Sequence, residues 1–165
     1  MLFFFLIVIV NSLYGQNSLR ITNMDAKDSL QLLNFFKPFK NRFDAKNFNG
    51  VKSLSLKKVE CNLSLINTNH DTEIGINYIP INTFLIKAFK NLSYSKYCRV
   101  QILEVKHQHP ENLKIKKGQL LRIYQVWYNY PSLNHSQEIA QGKYYAFEFV
   151  KVNGVYKFFG LTSTI

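Results

Sequence analysis

Long apolar runs are scarce in this chain. The longest, residues 2–10, has nine, whereas a membrane-spanning helix needs about 20. Cysteine is nearly absent, with Cys61 and Cys98 alone, and two cysteines so far apart with no neighbouring Cys make no zinc site. Acidic residues are few, ten Asp and Glu against 21 Lys and Arg. No run of five or six basic residues occurs, and no internal repeat or low-complexity tract is present. The G-x-S-x-G, H-E-x-x-H and phosphate-loop signatures are missing, which removes the sequence marks of serine hydrolysis, zinc proteolysis and P-loop nucleotide binding.

What is present begins with LFFFLIVIV, followed by polar Asn11 and Ser12 and small Gly15. That is the length of a signal-peptide apolar region with a small-residue cleavage zone. The expectation is cleavage after Gly15, leaving residues 16–165 as one secreted domain with no membrane span. At 47% hydrophobic and 15% aromatic, the chain has enough apolar surface to offset the entropy of ordering it. The leader carries no charged side chain, so the domain keeps the full +11. Such a surplus favours anionic partners through long-range attraction. In the extracellular space those are sulfated glycans, anionic lipid surfaces or acidic proteins; secretion argues against nucleic acid.

In an oxidising compartment Cys61 and Cys98 are expected to pair. Closing their 37-position loop would add roughly 4 kcal/mol. Three N-x-S/T sequons occur, at Asn62, Asn91 and Asn134. Asn91 and Asn134 fall in polar connecting segments and are the glycosylation candidates, while Asn62 falls in a predicted strand.

Along the chain, residues 25–42 place Leu30, Leu33, Phe36 and Phe39 at helical spacing, widened by Leu32 and Phe35. Pro38 should end or kink this helix. A second short helix is predicted from Asp44 as N-cap toward Leu54. Residues 57–65 alternate as a strand with Val59, Cys61, Leu63 and Leu65 on one face. A weaker strand follows at 73–78, and a third helix carries Phe84, Leu85, Ala88, Phe89 and Leu92. Strand patterns then cover 97–106, 119–130, 143–152 and 155–163. Asn153-Gly154 joins the last two as a hairpin turn, because both positions need positive φ. Helices first and an antiparallel meander afterwards indicate an α+β fold.

This order resembles the nuclear transport factor 2-like superfamily. The likeness covers residues 25–163 and rests on the paired early helices, the stretch from Gly75 into Phe84, and the terminal NGVYKFFGL. It implies three helices from the first half packed on a strongly curved antiparallel sheet shaped as a cone, with a pocket inside. Some members use that pocket for isomerase or dehydratase chemistry and others for binding or dimerisation. Catalytic members commonly end the first strand with an acid followed by Pro; here the stretch reads VECNLSL, with Glu60 and no Asp-Pro.

Glu60, Glu104 and Glu148 all fall in predicted strands, where acids are disfavoured. Inside the cone, one of them beside Tyr124, Tyr128 or Tyr145 would have the environment that general-base chemistry needs; otherwise strand acids face solvent and pair with cross-strand Lys or Arg. The pocket candidates are Tyr124, Trp127, Tyr128, Tyr145 and Phe147. His107 and His109 could share a strand face with Glu104 or Glu111, although an exposed strand end before Pro110 explains them as well, and neither metal nor cofactor is expected. The sequence thus points to a secreted, non-catalytic binding module for anionic partners or a small apolar ligand, and to a homodimer as one use of its aromatic strands. A small cone-fold enzyme is the alternative.

Overall fold

The computed structural model describes residues 19–22, 24–62, 76–92, 97–105, 113, 120–129 and 144–164. Helix α1 (Ala26–Asp44) starts where the Asp25 carboxylate accepts the Asp28 backbone N–H at 2.7 Å, a cap that typically contributes about 1 kcal/mol. It runs through Pro38 without ending. Pro38 is exposed, so its missing N–H falls on the solvent side of the helix, where a carbonyl left without a partner meets water. Beyond it Phe39 and Phe43 are buried, which favours continuing the helix over stopping it.

The buried stripe is Leu32, Phe36, Phe39 and Phe43, turned from the expected one: Leu30 is 61% exposed. Helix α2 (Phe48–Ser53) is capped by Asn47, whose side chain accepts from Gly50 N–H at 2.9 Å. Asp44, the expected cap, instead closes α1 and pairs with Lys40 at 2.5 Å. The turn between the helices places Lys46 at φ 52°. Helix α3 (Ile81–Asn91) follows Pro80 directly and buries Phe84, Leu85 and Ala88. Among the described residues no helix is long and apolar enough to cross a membrane.

Among the described residues seven strands form one sheet: β1 (Leu19–Thr22), β2 (Ser55–Asn62), β3 (Ile76–Pro80), β4 (Tyr97–Val105), β5 (Leu121–Asn129), β6 (Tyr144–Val152) and β7 (Val155–Thr164). Their spatial order is β1-β4-β5-β6-β7-β2-β3. Every neighbouring pair is antiparallel except β2 with β7. The sheet is therefore mixed and open, not wholly antiparallel as expected. Asn153 and Gly154 have φ 51° and 76°, the two left-handed residues that the β6–β7 hairpin requires.

The helices cover one face. Phe39 sits at the centre, with its ring centroid 5.2 Å from that of Phe149, 5.0 Å from Phe158 and 5.9 Å from Phe147. The pairs with Phe149 and Phe147 are edge-to-face and the pair with Phe158 is tilted; aromatic pairs add about 0.5–1.5 kcal/mol each beyond area burial. Tyr124, Val126, Tyr128, Tyr145, Val59 and Cys61 belong to the same core. On the opposite face a smaller cluster joins Leu121, Ile123, Val150 and Phe159, with Leu113 against it. A bulge in β7 feeds both layers: Phe158 faces Phe149, Gly160 faces Glu148, and Phe159 is the extra residue between them.

Strand order also bears on the cysteines. Cys61 is buried on β2 and Cys98 lies on β4, with β5, β6 and β7 between them. Four strand spacings span roughly 19 Å, against the 7 Å or so that a disulfide can bridge. That separation of the two backbones argues against the expected bond, and labelling in non-reducing denaturant should find two thiols per chain. A chain with no reactive thiol that gains two on reduction would contradict this strand order.

Candidate functional site

Two of the three buried acids, Glu60 and Glu148, converge through the registers of the sheet. Gln101 on β4 faces Gln125 on β5, which faces Glu148 on β6; Glu148 faces Gly160 on β7, which faces Glu60 on β2, which faces Tyr78 on β3. Six strands thus contribute one residue each to a single row on the face away from the helices. Gln101 Nε2 donates to Gln125 Oε1 at 2.7 Å, and Gln125 Nε2 donates to Glu148 Oε1 at 2.7 Å. At the far end Tyr78 Oη donates to Glu60 Oε2 at 2.9 Å. Trp127 Nε1 adds a donor to Gln125 Oε1 at 3.2 Å, and the Arg99 guanidinium lies 5.4 Å from the Trp127 ring centre.

Gly160 makes the centre of this row possible. A Cβ there would stand 2.4 Å from the Glu60 carbonyl oxygen and 2.9 Å from Glu60 Cβ. The requirement is for space, since β2 crosses β7 where only a hydrogen fits. Glu60 and Glu148 consequently flank a position with no side chain, at 6% and 2% exposure. Among the described residues Glu148 Oε2 has no hydrogen-bond partner.

Burial pushes the Glu148 carboxyl up to about 8, the Glu60 charge pushes it further in the same direction, and the Gln125 hydrogen bond opposes both. Burial and the Glu60 charge both favour the protonated form of Glu148 over the charged one. Burial, followed by the charge and hydrogen bond of Glu60, likewise holds the Tyr78 phenol above its ordinary value, which keeps it a donor. Burial pushes the Cys61 thiol up to about 12, while Lys87 pulls the other way; a thiol so placed is no nucleophile at neutral pH.

The residues singled out from sequence divide between the two faces. Tyr124, Tyr128, Tyr145 and Phe147 lie on the helix side, packed among the Phe rings, while Trp127 lies on the other. Glu60 and Glu148 are thus across the sheet from the tyrosines expected to partner them. Glu104 is on the helix side at the end of β4, where Arg122 Nε donates to its Oε1 at 2.7 Å. Arg122 is 64% exposed at its side chain and Glu104 12%, so the acid has the cross-strand partner of the alternative reading without facing solvent.

Asn91 ends α3 and Asn62 ends β2, while Asn134, His70, His107, His109, Glu111 and His135 lie outside the described residues. Among the described residues no three of His, Cys, Asp and Glu gather as a metal site would require. Sequence reasoning missed Gln101, Gln125, Tyr78 and Gly160. Their only signal was polarity or smallness inside otherwise apolar strands.

A second concentration of charge lies outside. Residues 37–58 hold seven basic side chains against one acid, Asp44, which is more than half of the net +11. No protein-family model and no curated protein matches the chain.

Two outcomes follow from the row. A carboxyl whose folded pKa is raised keeps a proton that the unfolded chain releases, so its stabilisation is complete below the unfolded carboxyl value, about 4.3, and is lost as pH rises toward 8. The folding equilibrium should weaken by up to tenfold per pH unit across that window. Glu148→Gln, which mimics the protonated acid, should flatten this dependence and be more stable than the parent at pH 8; urea unfolding at several pH values measures both. Gly160→Ala should cost about 1–3 kcal/mol, the usual penalty of overpacking, read from the same denaturation curves.

Proposed function

We propose that the chain is a secreted, non-catalytic binding module of the nuclear transport factor 2-like type, with a cone-shaped sheet, and that it engages anionic extracellular partners through its basic surface. The family reading draws support from the element order: two paired helices, a strand pair, a third helix, then the four-strand run β4 to β7. One observation carries the non-catalytic reading. The space between helices and sheet, where a cone-fold enzyme keeps its pocket, is occupied by Phe36, Phe39, Phe43, Phe147, Phe149 and Phe158, none more than 4% exposed. Of the three buried acids, Glu60 and Glu148 belong to the opposite face, with described hydrogen bonds to Tyr78 and Gln125, and Glu104, on the helix side, is paired with Arg122.

The same occupancy weighs against a small apolar ligand, since the chain's own rings fill the place such a ligand would take. The second reading, an isomerase-like or dehydratase-like enzyme, is favoured by Glu148 alone, a carboxyl whose burial favours the protonated form that a general acid must have.

Expression of the full chain in a secreting host tests the proposal. The expected product leaves the cell with Gln16 as its first residue and is retained on a heparin column until the salt is well above physiological. Retention of residues 2–10 on a cell-associated product would overturn secretion, and elution at low salt would overturn the anionic partner.

A further inference from the structure

The basic surface has a structured centre at the carbonyl end of α2. Arg42, from the last turn of α1, places Nη1 3.2 Å from the Gly50 carbonyl oxygen. Ser53 Oγ donates to that same oxygen at 2.9 Å, so the guanidinium and the hydroxyl share one acceptor and lie side by side. Lys157, from β7, brings Nζ to 2.9 Å from the Ser53 carbonyl oxygen across 104 positions of sequence. Lys52 stands in the same last turn of α2 and is exposed. Three cations and a hydroxyl from three elements thus meet around one turn of helix.

Among the described residues their acceptors are neutral carbonyls, which orient the cations without neutralising them. Asp44, the sole acid of the 37–58 segment, is engaged by Lys40. Among the described residues Arg42 uses one of five N–H donors, on Gly50, and Lys157 one of three, on Ser53, which leaves most of their donors for an incoming anion.

We propose that this turn is the docking locus for the sulfate groups of a sulfated glycan chain, with Arg42, Lys52, Ser53 and Lys157 as its contacts. The assignment rests on the anionic-partner reading above and narrows it to one place and one chemistry. An Arg fork takes two oxygens of a tetrahedral oxyanion at once, and the exposed Lys46 and Lys57 continue the charge as a polymer with repeated sulfates needs.

Other polyanions fit less well. Phe39 and Phe43 are buried and Phe48 packs at 6.5 Å against Phe89, so the segment offers no exposed ring on which a nucleic-acid base could stack. The exposed large hydrophobics, Leu30, Ile86, Leu120, Tyr144 and Val155, all lie outside residues 37–58, so that segment lacks the apolar anchor of a membrane-surface helix.

The test measures affinity for heparin fragments at several salt concentrations, with folding checked by near-ultraviolet circular dichroism. It compares the parent with R42Q/K52Q/K157Q, with K46N/K52Q, which touches no hydrogen bond described in the fold, and with the charge-matched K27Q/R99Q/R122Q. The triple site variant should flatten the slope of log affinity against log salt by about 2–3. K46N/K52Q should fall between it and the parent, and the matched control should lose far less. Equal losses in site and control variants would overturn the locus while leaving the anionic-partner reading intact. A parent that does not bind heparin would overturn both. Equal affinity for single-stranded DNA or for phosphatidylserine vesicles would overturn the sulfated glycan as the partner.

Discussion

Everything distinctive in this fold passes through the contact between β2 and β7 at Gly160. It lies in the single parallel pairing of an otherwise antiparallel sheet, and it brings backbone to backbone so closely that a methyl group has no room. The bulge just before it sends Phe158 into the helix-facing core and Phe159 into the opposite cluster. One irregularity therefore fixes the register of both layers and sets the two buried glutamates on either side of a bare backbone. Close packing leaves little scope for relaxation at such a crossing.

The same contact explains why two acids can be buried at all. A charged carboxylate in an apolar interior is costly, and the usual resolutions are pairing, hydrogen bonding or neutralisation. Glu60 keeps a phenol donor and Glu148 an amide donor, and burial also favours the protonated form of Glu148. Glu104, also buried, pairs with Arg122, whose own side chain is exposed. Three strand glutamates thus meet three environments, and only those beside Gly160 depend on neighbours from several strands.

How much of this was legible in the sequence follows from the range of each interaction. Helix α3, the Asn153-Gly154 turn and the long strands β4 to β7 declare themselves by local period and turn chemistry, and their bounds agree closely with the structure. The end of α1 did not, because the penalty at Pro38 is local while the burial of Phe39 and Phe43 that overrides it depends on Phe147, Phe149 and Phe158 more than a hundred positions away. The cysteines are hard to read for the same reason: compartment and count argue for a bond, and only strand order sets the distance between the two backbones. Lysines that look scattered along the chain gather because Lys157 on β7 reaches Ser53 on α2.

The long reach of these contacts also bears on how the chain matures. Helix α1 has its apolar stripe ready early, yet the rings that cover it belong to residues 147–158, and β2 finds its parallel partner only at residues 158–161. During synthesis the first half of the domain emerges with its phenylalanines uncovered and must wait for the last hairpin. Such non-local closure is slow and exposes apolar surface on the way. The nascent chain is therefore a natural client for a holding chaperone, and truncations that remove β7 should leave an insoluble remnant in place of a smaller domain.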